Sequence, residues 1–176
     1  MKNIIDNAIK NIWLNKIKFD YDNGYLLRED TLKNALYYHL RTELGELFFS
    51  EDIRIFTEYG TGIFKGTNYR PDMVIAKVNF DCDSRKYEDC ITDIICVIEI
   101  KNKRGFTTSN DIYKDFDKLH EYIDKFDNDC KYYMATIWEY EDTETSWTEN
   151  AGWAKEKLTE LNASYNENGD MRFYIP

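Results

Sequence analysis

The sequence is short of the residues that break chains apart, with 2 Pro and 8 Gly among 176 residues. That leaves little material for linkers or low-complexity segments, and no internal repeat is visible. Its 4 Cys residues form no C-x-x-C pair, and the only two His, His39 and His120, lie far from them, which argues against a zinc site. No apolar run reaches the ~18 residues of a membrane span, so no membrane contact is expected. Basic residues are also outnumbered, 23 against 33 acidic, for a formal net charge of −10. This weighs against tight nonspecific binding of nucleic acid by bulk charge, because such binding comes from cations neutralising phosphates; it does not exclude a local basic strip. The opening segment lacks a continuous apolar signal region, which leads us to expect a cytoplasmic protein with reduced thiols.

What is present is globular, at 43% hydrophobic and 16% aromatic, and the length suits one domain, 1–176. Within it, 1–24 reads as an N-terminal helix, 29–140 as the core and 146–176 as a C-terminal helix and strand. Ile5, Ile9, Ile12, Trp13 and Ile17 recur at helical spacing before the turn at Asp22–Gly24. That stripe suits core packing or a homodimer contact. A second helix, from about Glu29 to Leu47, aligns Leu32, Leu36, Leu40, Leu44 and Leu47. Strands are expected from Ile53, from Tyr69 and from Ile91, a helix over Ser109–Phe126, and a strand from Lys131. At Ser146 the pattern S-x-x-E imitates a capping box and predicts a helix to about Leu161, followed by a last strand, MRFYI.

Charges stand beside two of these strands. The second begins RPDMVIAKV at Arg70, and the third ends CVIEIKNKRG, starting from Cys96. A carboxylate or ammonium in a sheet interior is costly unless it is paired, hydrogen-bonded or bound to metal. Strand alternation puts Glu99 and Lys101 on one face, about 6–7 Å apart. Asp72 follows Pro71, which donates no ladder hydrogen bond and favours a strand start, so pairing of the two strands would bring Asp72 to them. Two close carboxylates repel unless a cation intervenes, and an oxygen-rich site of this kind suits Mg²⁺ or Mn²⁺. A neighbouring lysine can then orient water or stabilise charge on a phosphodiester under attack.

Arg70–Asp72 and Glu99–Lys101, set in an α-β-β-β-α-β order, resemble the PD-(D/E)XK nuclease superfamily. The resemblance implies an α/β, restriction endonuclease-like core with a mixed central sheet flanked by helices, to which the N-terminal helix and the C-terminal helix plus strand are additions. It implies a Mg²⁺-dependent endonuclease or exonuclease in which Asp72 and Glu99 ligate the metal with the backbone carbonyl of Ile100. Lys101 then serves the attacking water. Glu29, at the start of the second helix, stands as an additional acidic ligand, with Glu58 as its competitor. Some exonuclease-like branches place Gln-x-x-x-Tyr on the following helix, where this chain has Lys118 and Tyr122. With Arg70, Lys103 and Arg104 these form the candidate nucleic-acid contacts, a local cationic rim. A different class stays open beside it: a catalytically inactive protein of the same fold whose acidic surface binds a basic protein partner.

Overall fold

Short apolar segments, alternating at the edges and nearly continuous in the centre, lay down six strands, which pair in simple chain order. They are β1 (Ile53–Thr57), β2 (Met73–Val78), β3 (Ile91–Lys103), β4 (Lys131–Trp138), β5 (Leu158–Tyr165) and β6 (Met171–Tyr174), forming one sheet ordered β1-β2-β3-β4-β5-β6. The first three run antiparallel, β3, β4 and β5 run parallel, and β6 returns antiparallel to β5. The computed structural model describes residues 1–60, 70–103, 109–125, 129–139, 146, 148, 151–154 and 156–176. The chain is a mixed α/β protein with helices flanking a mixed sheet.

Alternation along β3 divides the core in two. Ile98 and Ile100 point into one cluster, with Leu32, Leu36 and Leu40 of α3 (Glu29–Glu43) and with Ile9 and Trp13 of the N-terminal helix. Val97 points into the other, with Val74, Met134 and the apolar stripe Ile112, Phe116 and Leu119 of α5 (Ser109–Lys125). A strand covered on both faces reads as a nearly continuous apolar run, and this is why β3 stands out in the sequence. Glu99 and Lys101 fall on the α5 face of that strand, where the alternation demands apolar residues and the sequence supplies charge.

The N-terminal helix runs as α1 (Lys2–Asn11), a π-helical segment (Ile12–Ile17) and α2 (Lys18–Asp22). At the first turn of the widened segment the Trp13 indole N–H donates to the Asn162 carbonyl across 3.1 Å, tying this helix to β5. The leucine stripe of the second helix is broken at Leu44, and a short helix, α4 (Gly45–Ser50), follows α3. Among the described residues no helix is long and apolar enough to cross a membrane.

Two expectations are corrected. No helix occupies the described residues between Ser146 and Leu161; they form turns and then β5. The Ser146 hydroxyl does not cap a helix but donates to the Glu160 carboxylate at 3.1 Å, and the Thr148 amide donates to the same oxygen at 2.8 Å. Beyond Leu158 the period is two: Leu161 and Ala163 enter the first core cluster, while Glu160, Asn162 and Ser164 take the opposite face. The thiols are also not all reduced. Cys82 and Cys90 form a disulfide within the β2–β3 connection, while Cys96 and Cys130 are free and buried.

Candidate active site

Register assembles the site. Met73 stands opposite Ile98 in the antiparallel β2–β3 ladder, so Asp72, one residue before β2, falls beside Glu99. Pro71 keeps the chain extended there, and the Glu58 amide donates to the Asp72 carbonyl at 3.1 Å, so the β1 side holds the Asp72 backbone in place. The Asp72 side chain accepts a hydrogen bond from the Ile100 amide at 2.8 Å. Asp72 and the Glu99–Lys101 segment therefore meet, as strand pairing requires.

Glu99 is wholly buried, and neither of its carboxyl oxygens has a hydrogen-bond partner among the described residues. Burial pushes its pKa well above the ordinary carboxylate value, and the neighbouring Asp72 pushes it further, against the pull of Lys118. The Lys118 ammonium stands 3.7 Å from Glu99 Oε2. A buried carboxyl without donors, next to a second carboxylate, is the arrangement that a divalent cation relieves.

Lysines and further acids surround this pair. Lys101 lies 2.8 Å from Asp115 Oδ2 on α5 and 3.5 Å from Glu29 Oε2 at the start of α3. Burial would lower the Lys101 pKa, but Asp115 and then Glu29 outweigh it and hold the ammonium firmly charged. Glu29 is raised by burial, opposed by Lys101 and pushed further by Asp72. On the opposite side Lys33 of α3 pairs with Glu58 and stands 3.8 Å from Asp72 Oδ1. Lys33 too stays charged, because Glu58 and Asp72 overcome the effect of burial. Lys118 also pairs with Asp115, at 2.6 Å.

The sequence-predicted residues thus fall into separate groups. Asp72, Glu99, Lys101, Glu29 and Lys118 share one site, and Glu58 reaches it through Lys33. Tyr122 is buried in the core beneath α5, where its ring packs rather than meeting solvent. Arg70 is exposed, with its side chain lying over Gly60. Lys103 sits half-buried at the end of β3, and Arg104 lies outside the described residues.

Comparison with family models, with curated proteins and with solved structures finds no match. The chemistry must therefore be judged on the side chains themselves. Among the described residues no group of three or more His, Cys, Asp or Glu side chains is arranged to hold a metal ion. What the site offers is a carboxyl pair, Asp72 and Glu99, and a strand carbonyl. Residues exchanging ladder bonds turn their N–H and C=O to the same neighbour, so the Ile100 amide that meets Asp72 implies its carbonyl on that side as well. Two carboxylates and a carbonyl are hard oxygen donors, suited to Mg²⁺ or Mn²⁺ and unsuited to softer metals.

Two members of the cluster, Asp115 and Lys33, do not stand out as site residues in the sequence. A signal exists for each. Asp115 interrupts the apolar stripe Ile112, Phe116, Leu119 at helical spacing, and Lys33 stands one turn after Glu29, on the side of α3 facing the strand ends.

Proposed function

We propose that the chain is a divalent-metal-dependent nuclease, hydrolysing phosphodiesters of DNA or RNA through a PD-(D/E)XK-type centre on a restriction endonuclease-like core. The observation that supports it most is the buried Glu99 carboxyl, without hydrogen-bond donors among the described residues and set beside an Asp72 that is itself fixed to the Ile100 amide. The order α3, β1, β2, β3, α5, β4 is compatible with that core.

Asp72 and Glu99, with the Ile100 carbonyl, would hold Mg²⁺ or Mn²⁺. Such an ion supplies Lewis acidity toward a phosphate oxygen and makes a water easier to deprotonate. Lys101 shares the Glu99 face and is held charged, so its part is to orient the attacking water by donation and to stabilise negative charge growing on the phosphate. Lys118, 3.7 Å from Glu99, and Lys33, 3.8 Å from Asp72, would receive phosphate oxygens. Because the chain carries a net charge of −10, the substrate must be gripped locally by a few cations, so binding should be weak and should fall with salt only in proportion to those few contacts.

The test is cleavage of single- and double-stranded DNA and RNA at low ionic strength with Mn²⁺ or Mg²⁺, comparing wild type with Lys101→Ala. Loss of Lys101 should slow cleavage by about a hundredfold or more. The same net charge favours a second reading, an inactive acidic protein that binds a basic partner. Metal binding without cleavage, together with an indifferent Lys101→Ala, would select it.

A further inference from the structure

Asp115 is a nearly buried carboxylate, its side chain 4% exposed, in the middle of the helix face that packs on the sheet. Such a group is tolerated only when it is well paired. Its two oxygens are divided between two ammonium groups from different elements: Oδ2 meets Lys101 of β3 at 2.8 Å, and Oδ1 meets Lys118 of its own helix at 2.6 Å. The other contacts of these lysines are longer, 3.5 Å from Lys101 to Glu29 and 3.7 Å from Lys118 to Glu99. Among the described residues the closest anion to each lysine is thus the same side chain.

We propose that Asp115 is a positioning residue for the reaction, a fork that fixes the Lys101 and Lys118 ammonium groups around Glu99. This rests on the nuclease reading of the site. A lysine has four rotatable bonds and a spherical charge, so by itself it is a poorly oriented group. Strand alternation aims Lys101 at the right face but leaves its ammonium free to swing. A carboxylate carried by a rigid helix removes that freedom, and it does so for a second lysine at once. Asp115 stands behind both lysines, so the one side chain holds the water-directing ammonium and the phosphate-facing ammonium at a set separation. Misplacing a catalytic group by about 1 Å can cost on the order of a hundredfold in rate.

The proposal is tested with the full chain in three comparisons. Asp115→Asn keeps the shape and removes the charge; it should lower kcat by about tenfold to a hundredfold while leaving KM and calorimetric Mn²⁺ affinity close to wild type. In a Lys101→Met background the same substitution should cost clearly less, because only Lys118 is then left for Asp115 to position. Acetic anhydride labelling read by mass spectrometry should show Lys101 and Lys118 reacting faster in Asp115→Asn than in wild type. Should Asp115→Asn fail to fold, Asp115→Glu, which retains the charge and displaces it by one methylene, is expected to show the same fall in kcat. An unchanged kcat, an equal loss in the Lys101→Met background, or Mn²⁺ binding abolished as by loss of a ligand would each overturn the positioning role. A wild-type chain that cleaves no substrate sinks the nuclease reading instead. The acetylation rates then decide by themselves whether Asp115 holds the lysines, with unchanged rates counting against it.

Discussion

The Ile100 amide donates to the Asp72 carboxylate across 2.8 Å, fixing the Asp72 side chain beside the strand that carries Glu99 and Lys101. Asp72 therefore has a structural duty apart from any metal. An asparagine at this position keeps an oxygen acceptor for the amide while halving the charge of the carboxyl pair. Asp72→Asn is accordingly expected to remain folded, with an unchanged far-ultraviolet circular dichroism spectrum, and to lose at least about tenfold in calorimetric Mn²⁺ affinity. An affinity equal to wild type would place the ion elsewhere.

Glu99 behaves differently because it has no donor to lose. Its carboxyl is buried beside Asp72, so without metal it costs stability, while Lys118 keeps Asp115 as a partner if Glu99 is neutralised. Glu99→Gln should raise the metal-free Tm, by about 2–8 °C if about 1–2 kcal/mol is relieved in a chain of this size. Mn²⁺ should stabilise wild type and leave Glu99→Gln unmoved. Thermal scans with and without Mn²⁺ check both halves, and a variant that melts lower in chelator contradicts the first.

The parts of this structure that were legible in the sequence are those set by short-range pattern. Alternation and β-branched runs identify β1 to β4, and Pro71 with the Glu99–Lys101 alternation predicts that the three charged residues converge on one face. The second parallel strand, β5, is obscured because Ser146 and Glu149 imitate a helix cap and Ala154 and Lys155 are good helix formers; the deciding contacts, from Ser146 and Thr148 to Glu160, are tertiary. Asp115 betrays itself in the sequence only by interrupting the apolar stripe of α5, and what it pairs with becomes clear once α5 is laid against β3. The Cys82–Cys90 link is likewise a matter of how the β2–β3 connection folds back, which spacing alone does not give.

Trp13 offers a stability test remote from the charges. It is wholly buried, and its indole N–H satisfies the Asn162 carbonyl at the start of the π-helical segment. Trp13→Phe retains most of the apolar surface but removes the hydrogen bond to that carbonyl, a net cost of about 0.5–1.5 kcal/mol. Trp13→Ala also opens a cavity and should cost about 3–5 kcal/mol. Urea unfolding should keep this order, and a Trp13→Phe midpoint equal to that of wild type would show that the hydrogen bond contributes nothing.

The cysteines make the last prediction. Burial pushes the Cys130 thiol up to about 12 and the Cys96 thiol well above its ordinary value, while Cys82 and Cys90 are tied to each other. At pH 8 a thiol of pKa about 12 is ionised in only about one molecule in ten thousand, and the thiolate is the reactive form. A thiol-specific disulfide reagent should therefore label almost nothing in the native, unreduced protein, two thiols in denaturant and four after reduction. Both buried thiols hold their protons more tightly folded than unfolded. The stability this contributes is complete below the ordinary thiol pKa, near 9, and is lost as the pH rises from there through about 12. Alkaline unfolding should accordingly be less steep in Cys130→Ala than in wild type, measured by denaturant titration at pH 8 and pH 10. Four reactive thiols in unreduced denaturant would remove the disulfide, and identical pH dependence in the variant would show that Cys130 titrates alike in both states.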